Sequence, residues 1–139
     1  QDKSDIGRPR FVKMISPVKG EITSFFGTRE HPVFKTQVEH TGIDISSFEG
    51  DDILATADGT VKETGEDPQL GRYLVLDHGQ GIETLYAHCS SVTCERGQQI
   101  KQGDVIAKVG STGNATGSHL HFEVLMDGQP VDPESWLEP

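Results

Sequence analysis

Positive charge is scarce in this chain of 139 residues, which carries 12 lysine and arginine residues against 22 aspartate and glutamate residues, for a formal net charge of −10. Nucleic-acid binders neutralise phosphates with clustered lysine and arginine, so we expect no nucleic-acid partner. The same balance argues against electrostatic attachment to an anionic membrane surface. Long apolar runs are also absent, and no stretch is long enough to cross a bilayer as a helix.

Cysteine and aromatic residues are few as well. The two cysteines, Cys89 and Cys94, lack the C-x-x-C spacing of zinc or redox motifs, which leaves a local disulfide or, as we favour, two buried thiols. A hydrophobic content of 33% with 6% aromatic residues disfavours long buried helices, while 16 glycines and 7 prolines indicate many turns. These numbers fit one small domain with a modest core.

The chain begins at Gln1 and shows no recognisable signal peptide, so we interpret it as a mature fragment or an excised domain whose anchor or signal sequence is missing. We expect a tail or strap over residues 1–15 and one domain over residues 16–137. A loop is expected at 28–38 and a tail at 130–139. Strands are expected at residues 21–26, 40–46, 60–64, 71–77, 82–88, 104–109 and 119–124. This spacing, with turns between, predicts an all-β barrel or sandwich.

The last of these strands carries two histidines on one face. Side chains alternate along a strand, so His119, His121 and Glu123 point one way, and residues 120, 122 and 124, which are apolar, point the other way. Imidazoles two residues apart suit metal binding or proton transfer. The alternative is a polar strand face that happens to carry two histidines.

Another histidine, His40, shares a face with the carboxylate of Asp44 in the segment 40–46, whether that segment is a strand or a helix. A catalytic zinc ion needs three protein ligands and one open position. Two nitrogens and one oxygen from His40, Asp44 and His121 suit Zn²⁺. His88, expected at the polar end of a strand, and His119 remain for proton transfer, which a histidine pair can perform without a glutamate base.

Three separated motifs carry a resemblance to a known family: His40-x-x-x-Asp44, Tyr86-Ala87-His88 and, at residues 117–122, Gly-Ser-His-Leu-His-Phe. In this order they resemble the M23 metallopeptidases, also called the lysostaphin or LytM type. Residues 26–32 and 40–45 are similar to the opening segment of that family. The resemblance covers roughly residues 15–137.

The resemblance implies a β-sheet groove of the duplicated hybrid motif type, a LytM-like barrel-sandwich. It implies that His40, Asp44 and His121 hold one zinc ion and that His88 and His119 flank the metal-bound water. The implied function is a zinc-dependent endopeptidase that cuts peptide cross-bridges or stem peptides of bacterial peptidoglycan. Such an enzyme would act outside the cytoplasm, secreted or in the cell envelope.

Four further residues are candidates near the implied site. Substrate contacts are expected from Arg29, Asn114 and Thr116, although turn geometry explains the last two equally well. Glu123 is expected to hydrogen-bond a ligand imidazole, or else to form a surface salt bridge. Some members of the family use a tyrosine before the first ligand, but Phe34 is the only aromatic residue between residues 27 and 40 here.

Two other functions compete with the zinc endopeptidase. A catalytically silent LytM-like domain would act as an activator or scaffold, with a regulatory or scaffold protein partner, in cell-wall remodelling, sporulation or division. Such members typically lose a ligand or a catalytic histidine, whereas all five are present here. A phosphocarrier or lipoyl-like module needs one reactive histidine or lysine, and it gives no reason for a His/Asp/His set.

Overall fold

A computed structural model describes residues 13–30, 37–112 and 117–137, with the backbone alone described at 28–30 and 37–40. Asn114 and Thr116, both predicted substrate contacts, therefore lie outside the described residues. Met14 is buried and bridges Leu137, and Ile15 N–H donates to Thr56 O at 3.0 Å. The division into residues 1–15 and 16–137 stays a prediction.

The described residues form strands and no α-helix, as the sequence pattern predicts. The strands are β1 (Ile22–Ser24), β2 (Gly27–Glu30), β3 (Gln37–His40), β4 (Ile43–Ser46), β5 (Asp52–Leu54), β6 (Gly59–Asp67), β7 (Gly71–Gly79), β8 (Ile82–Val92), β9 (Gln99–Ile100), β10 (Val105–Val109), β11 (His119–Met126) and β12 (Gln129–Val131). One turn of 3-10 helix follows at Pro133–Ser135. No helix in this part of the chain has the length and apolarity that crossing a bilayer requires.

One antiparallel sheet dominates the fold. Its strand order is β1-β4-β11-β8-β7-β6-β9, with β12 added to β11, and β10 bridging β8 and β5. The strand that carries the two-histidine motif, β11, therefore lies between β4 and β8. This arrangement brings Asp44, His88 and the two-histidine motif, which are distant in the sequence, onto neighbouring strands.

The alternation of apolar residues sets which face of each central strand meets the core. On β11, Leu120, Phe122 and Val124 are wholly buried, and on β4 both Ile43 and Ile45 are buried. The residues between them project from the opposite face of the sheet. Apolar burial thus fixes the direction of the polar side chains, because a slip of one residue would exchange the two faces.

Two expectations for irregular segments are wrong. The expected loop at 28–38 contains a two-stranded hairpin, in which Gly27 pairs with His40 and Glu30 with Gln37. The sequence of these strands is mostly polar and carries no clear alternation, so periodicity alone does not predict them. The expected tail at 130–139 contains most of β12 and the 3-10 turn, and Trp136 anchors it to the core with 5% of its surface exposed.

The strand β8 also differs from its prediction, because it continues through His88 to Val92. Leu74 pairs with Tyr86 and Arg72 pairs with Cys89, so β8 contains one extra residue, a β-bulge. His88 lies in this bulge with a φ of 64°. Strict alternation places Tyr86 and His88 on one polar face, yet Tyr86 is wholly buried in the core.

Candidate metal and catalytic site

The predicted ligands Asp44 and His121 lie directly opposite each other on paired strands. They are cross-strand partners between β4 and β11, where side chains on one face approach closely. The Oδ1 atom of Asp44 is 2.9 Å from Nδ1 of His121 and 3.8 Å from Nε2 of His119. One carboxylate thus lies beside both imidazoles of the β11 motif.

A second carboxylate contacts the other edge of the same imidazole. Nε2 of His121 lies 2.8 Å from Oε2 of Glu123, which also accepts a hydrogen bond of 2.8 Å from the Thr41 hydroxyl. Burial alone would lower the pKa of His121, but its hydrogen bonds to Asp44 and Glu123 raise it to about 9. The surroundings of this ring therefore stabilise a positive charge.

Close backbone contact makes this arrangement possible at Gly42. A Cβ at Gly42 would overlap the carbonyl oxygen of Phe122 and would lie 2.7 Å from Cγ of Glu123. Glycine is therefore required where the segment after β3 crosses β11. This crossing places Thr41 within hydrogen-bond reach of Glu123.

His88 and His119 complete a cluster of three imidazoles. The ring centroid of His88 is 5.0 Å from that of His119 and 6.1 Å from that of His121. Nδ1 of His88 donates to the carbonyl of Thr112 at 2.7 Å, and Nδ1 of His119 donates to the carbonyl of Gly117 at 3.0 Å. Burial lowers the pKa of His88, although the bond to Thr112 opposes this shift. Burial of His88 therefore favours its neutral form.

The donor set fits a small divalent cation. A nitrogen and an oxygen bound to one tetrahedral zinc ion at about 2.0 Å are separated by roughly 3.3 Å, close to the distance between Nδ1 of His121 and Oδ1 of Asp44. Metal-bound histidines usually donate their other ring N–H to an oxygen, as His121 does to Glu123. A third ligand completes such a site.

The predicted third ligand, His40, is placed only by its backbone, at the end of β3 and opposite Gly27. Its side chain and that of Arg29 are outside the described atoms, so both assignments stay predictions. Among the side chains that are described, no group of three histidine, cysteine, aspartate or glutamate residues forms a metal cluster.

Sequence reasoning missed two residues that hold the site together. Thr41 lies between His40 and Asp44 in the first motif, and that position is its only signal. Thr112 acts through its backbone carbonyl. Every residue type has this group, so the sequence carries no signal for it. His78 lies apart from these residues and has a structural role, because its ring contacts Asp58 O and Thr84 Oγ1, both at 2.7 Å.

The model of peptidase family M23 matches residues 38–133, which include all three motifs. The chain belongs to peptidase family M23. The resemblance on which the sequence analysis rests is therefore confirmed, and so is the all-β fold class. The family match covers most of β3 and all of β4 to β12, the part of the chain that builds the site.

Curated M23 relatives include the DD-carboxypeptidase/endopeptidase Mpg of Neisseria meningitidis, 44% identical over 82% of this chain and 26% of that protein. The peptidoglycan DD-endopeptidase ShyB of Vibrio cholerae is 42% identical over 81% of this chain and 26% of that protein. The chain thus spans about a quarter of the length of these relatives.

Two solved structures share the M23 fold. A zinc containing peptidase from Vibrio cholerae matches with a TM-score of 0.81 and 38% identity, over 88% of this chain and 39% of that chain. A chain of the SpoIIQ–SpoIIIAH pore forming complex matches with a TM-score of 0.80 and 25% identity, over 93% of each chain. The fold therefore occurs both in a peptidase and in a protein complex.

Proposed function

We propose that this M23 chain is a zinc-dependent endopeptidase that hydrolyses peptide cross-bridges or stem peptides of bacterial peptidoglycan. The observation that carries the proposal is the pairing of Asp44 with His121 at 2.9 Å, beside the imidazoles of His88 and His119. The relative ShyB, named a peptidoglycan DD-endopeptidase, supports the substrate class. Peptidoglycan also implies a location outside the cytoplasm, secreted or in the cell envelope.

In this proposal His40, Asp44 and His121 hold one zinc ion. When bound, zinc supplies a Lewis acid for the scissile carbonyl and lowers the pKa of a coordinated water towards about 7. Glu123 fixes the ring plane of His121 through Nε2, and Thr41 fixes Glu123. The zinc containing peptidase with the same fold supports this choice of metal.

His88 and His119 are proposed to move the protons. A carbonyl oxygen only accepts hydrogen bonds, so both rings carry a proton on Nδ1, and in the neutral form of either ring Nε2 has a lone pair. An imidazole with a free lone pair can accept a proton from the attacking water and return it to the leaving amine. Arg29, Asn114 and Thr116 stay proposed substrate contacts.

Digestion of purified peptidoglycan of known chemotype, with mass analysis of the products, tests the proposal. We expect the wild type to release peptide fragments, and a chelator to abolish the release until zinc is restored. Asp44→Ala and His119→Ala should release fragments at least about 100-fold more slowly. Lys62→Ala is a surface control, since Lys62 forms a salt bridge with Glu83 on another part of the sheet.

The silent scaffold is the second candidate, because a chain of the SpoIIQ–SpoIIIAH complex matches over nearly the whole of this one. It predicts equal fragment release from wild type and Asp44→Ala, at the rate seen with added chelator. That result would overturn the enzyme proposal.

A further inference from the structure

Hydrogen bonds of the Thr112 side chain attach the segment that follows β10 to two neighbouring strands. The hydroxyl of Thr112 donates to Cys89 O at 2.8 Å and accepts from Arg72 N at 3.1 Å. Gly71 leaves room for this contact: it has a φ of +68°, and a Cβ there would overlap the Thr112 hydroxyl and lie 2.5 Å from the Thr112 carbonyl carbon. Thr112 is thus held from two strands at once.

The residue held in this way presents its carbonyl to His88. Nδ1 of His88 lies 2.7 Å from Thr112 O, and the backbone N–H of His88 donates to Leu70 O at 2.8 Å. His88 is therefore fixed at its backbone, in the β8 bulge, and at one ring nitrogen. Its other ring nitrogen, Nε2, has no hydrogen-bond partner among the described residues.

We propose that Thr112 is a positioning residue whose side chain locks its own carbonyl against Nδ1 of His88, and so keeps His88 in the tautomer with a free Nε2. The inference deepens the proposed function, because a lone pair on Nε2 is what proton transfer by His88 requires. Gly71 contributes to the same arrangement, because any side chain at this position would displace Thr112. The tautomer itself can be measured without substrate.

Nitrogen-15 NMR of the imidazoles in the zinc-loaded protein tests this inference, because the two neutral tautomers have distinct ¹⁵N shifts. We expect wild-type His88 to carry its proton on Nδ1. Thr112→Val keeps the side-chain volume but removes both hydroxyl bonds, so His88 should become a mixture of tautomers. His119, which is bonded to Gly117 instead, should keep its signals and serve as an internal control.

Two matched controls separate positioning from general loosening of the sheet. Thr112→Ser retains the hydroxyl and should restore the wild-type spectrum. Thr93→Val removes a comparable hydroxyl bond to a strand carbonyl, that of Val105 at 3.3 Å, and should leave His88 unchanged. A merely structural role for Thr112 would alter stability without altering the tautomer of His88.

Gly71→Ala applies the same perturbation from the opposite side. Its control is Gly79→Ala, at a φ of +88° with nothing within 4 Å of the added Cβ, so both variants share backbone strain but only the first displaces Thr112. We expect Gly71→Ala alone to change the His88 tautomer. If either variant unfolds, the other and the wild-type spectrum still decide the question.

Kinetics on peptidoglycan peptides supply the second readout. Thr112→Val should lower kcat about tenfold with KM within about twofold, because proton transfer and not binding is impaired. The inference is overturned if wild-type His88 carries its proton on Nε2, or if Thr112→Val leaves its spectrum unchanged. Failure of the wild type to cleave peptidoglycan would instead overturn the proposed function. The NMR result on the His88 tautomer would not be affected, because it is measured without substrate.

Discussion

Removal of one buried hydroxyl, in Tyr86→Phe, should destabilise the sheet that supports the site. The oxygen of Tyr86 is wholly buried and lies 2.8 Å from Oγ1 of Thr56, 2.8 Å from Oγ1 of Thr84 and 3.3 Å from the backbone N of Thr56. The ring of Tyr86 packs against Phe122, with centroids 5.3 Å apart, on the face of β11 opposite His121. The substitution deletes the oxygen and keeps the ring.

The size of the effect follows from the groups that lose a partner. The N–H of Thr56 has no other acceptor in the described structure, and an unsatisfied buried donor costs about 1–3 kcal/mol. The hydroxyl of Thr84 keeps its contact with His78, so losing its bond to Tyr86 costs less free energy than leaving the Thr56 N–H unsatisfied. We therefore expect Tyr86→Phe to lower the free energy of unfolding by about 3 kcal/mol. For a chain of 139 residues this corresponds to a fall in Tm of about 10 °C.

Urea unfolding at equilibrium, together with thermal melts, measures the loss in Tyr86→Phe. Tyr73→Phe is the matched control, because the Tyr73 hydroxyl bonds Glu63 at the surface and its removal should cost less than about 0.5 kcal/mol. Adding Thr56→Val to Tyr86→Phe should recover part of the lost stability. The Thr56 hydroxyl, whose bond to Tyr86 is lost in Tyr86→Phe, is then removed as well. A free energy of unfolding for Tyr86→Phe within about 0.5 kcal/mol of wild type would refute the reasoning.

Three further changes test other parts of the molecule. Glu123→Gln should weaken zinc binding about tenfold in a chelator competition, because a neutral amide holds His121 less firmly; an unchanged affinity would contradict this. Burial lowers the pKa of His78 below 6.5, so the unfolded chain binds that proton more readily and stability falls as pH drops below about 6.5. His78→Gln should remove this contribution, at most about 1.4 kcal/mol per pH unit, and equal slopes in pH-dependent unfolding would count against it. Gly42→Ala should cost at least about 1–3 kcal/mol in urea unfolding, because its Cβ overlaps Phe122 O, and a wild-type midpoint would disprove the contact.

The sequence predicts for a physical reason that Asp44 and His121 project away from the core. Ile43 and Ile45 on one strand, and Phe122 on the other, must face the same core, and this requirement directs the intervening polar residues to the other face. What alternation does not supply is the order of strands. The placement of β4 beside β11 comes from the structure and not from periodicity.

The position of His88 shows where alternation fails. A period of two puts His88 on the same face as Tyr86, and the prediction that both lie on a polar face is wrong for Tyr86. The bulge reverses the direction of the side chain within one residue, at a φ of 64°. Asparagine, aspartate and histidine tolerate this conformation better than most residues, but the sequence does not mark which residue adopts it.

The hydrogen-bond acceptors separate the histidines of the cluster into two kinds. His88 and His119 donate from Nδ1 to neutral backbone carbonyls, whereas both nitrogens of His121 contact carboxylates. A carboxylate stabilises positive charge on its partner, and the pKa of His121 is accordingly raised while that of His88 is lowered. Two histidines spaced as H-x-H are equivalent in a sequence, so spacing alone does not say which binds a cation and which exchanges protons. The acceptor opposite each ring differs between the two histidines, in keeping with the proposal that His121 binds the cation and that His88 and His119 exchange protons.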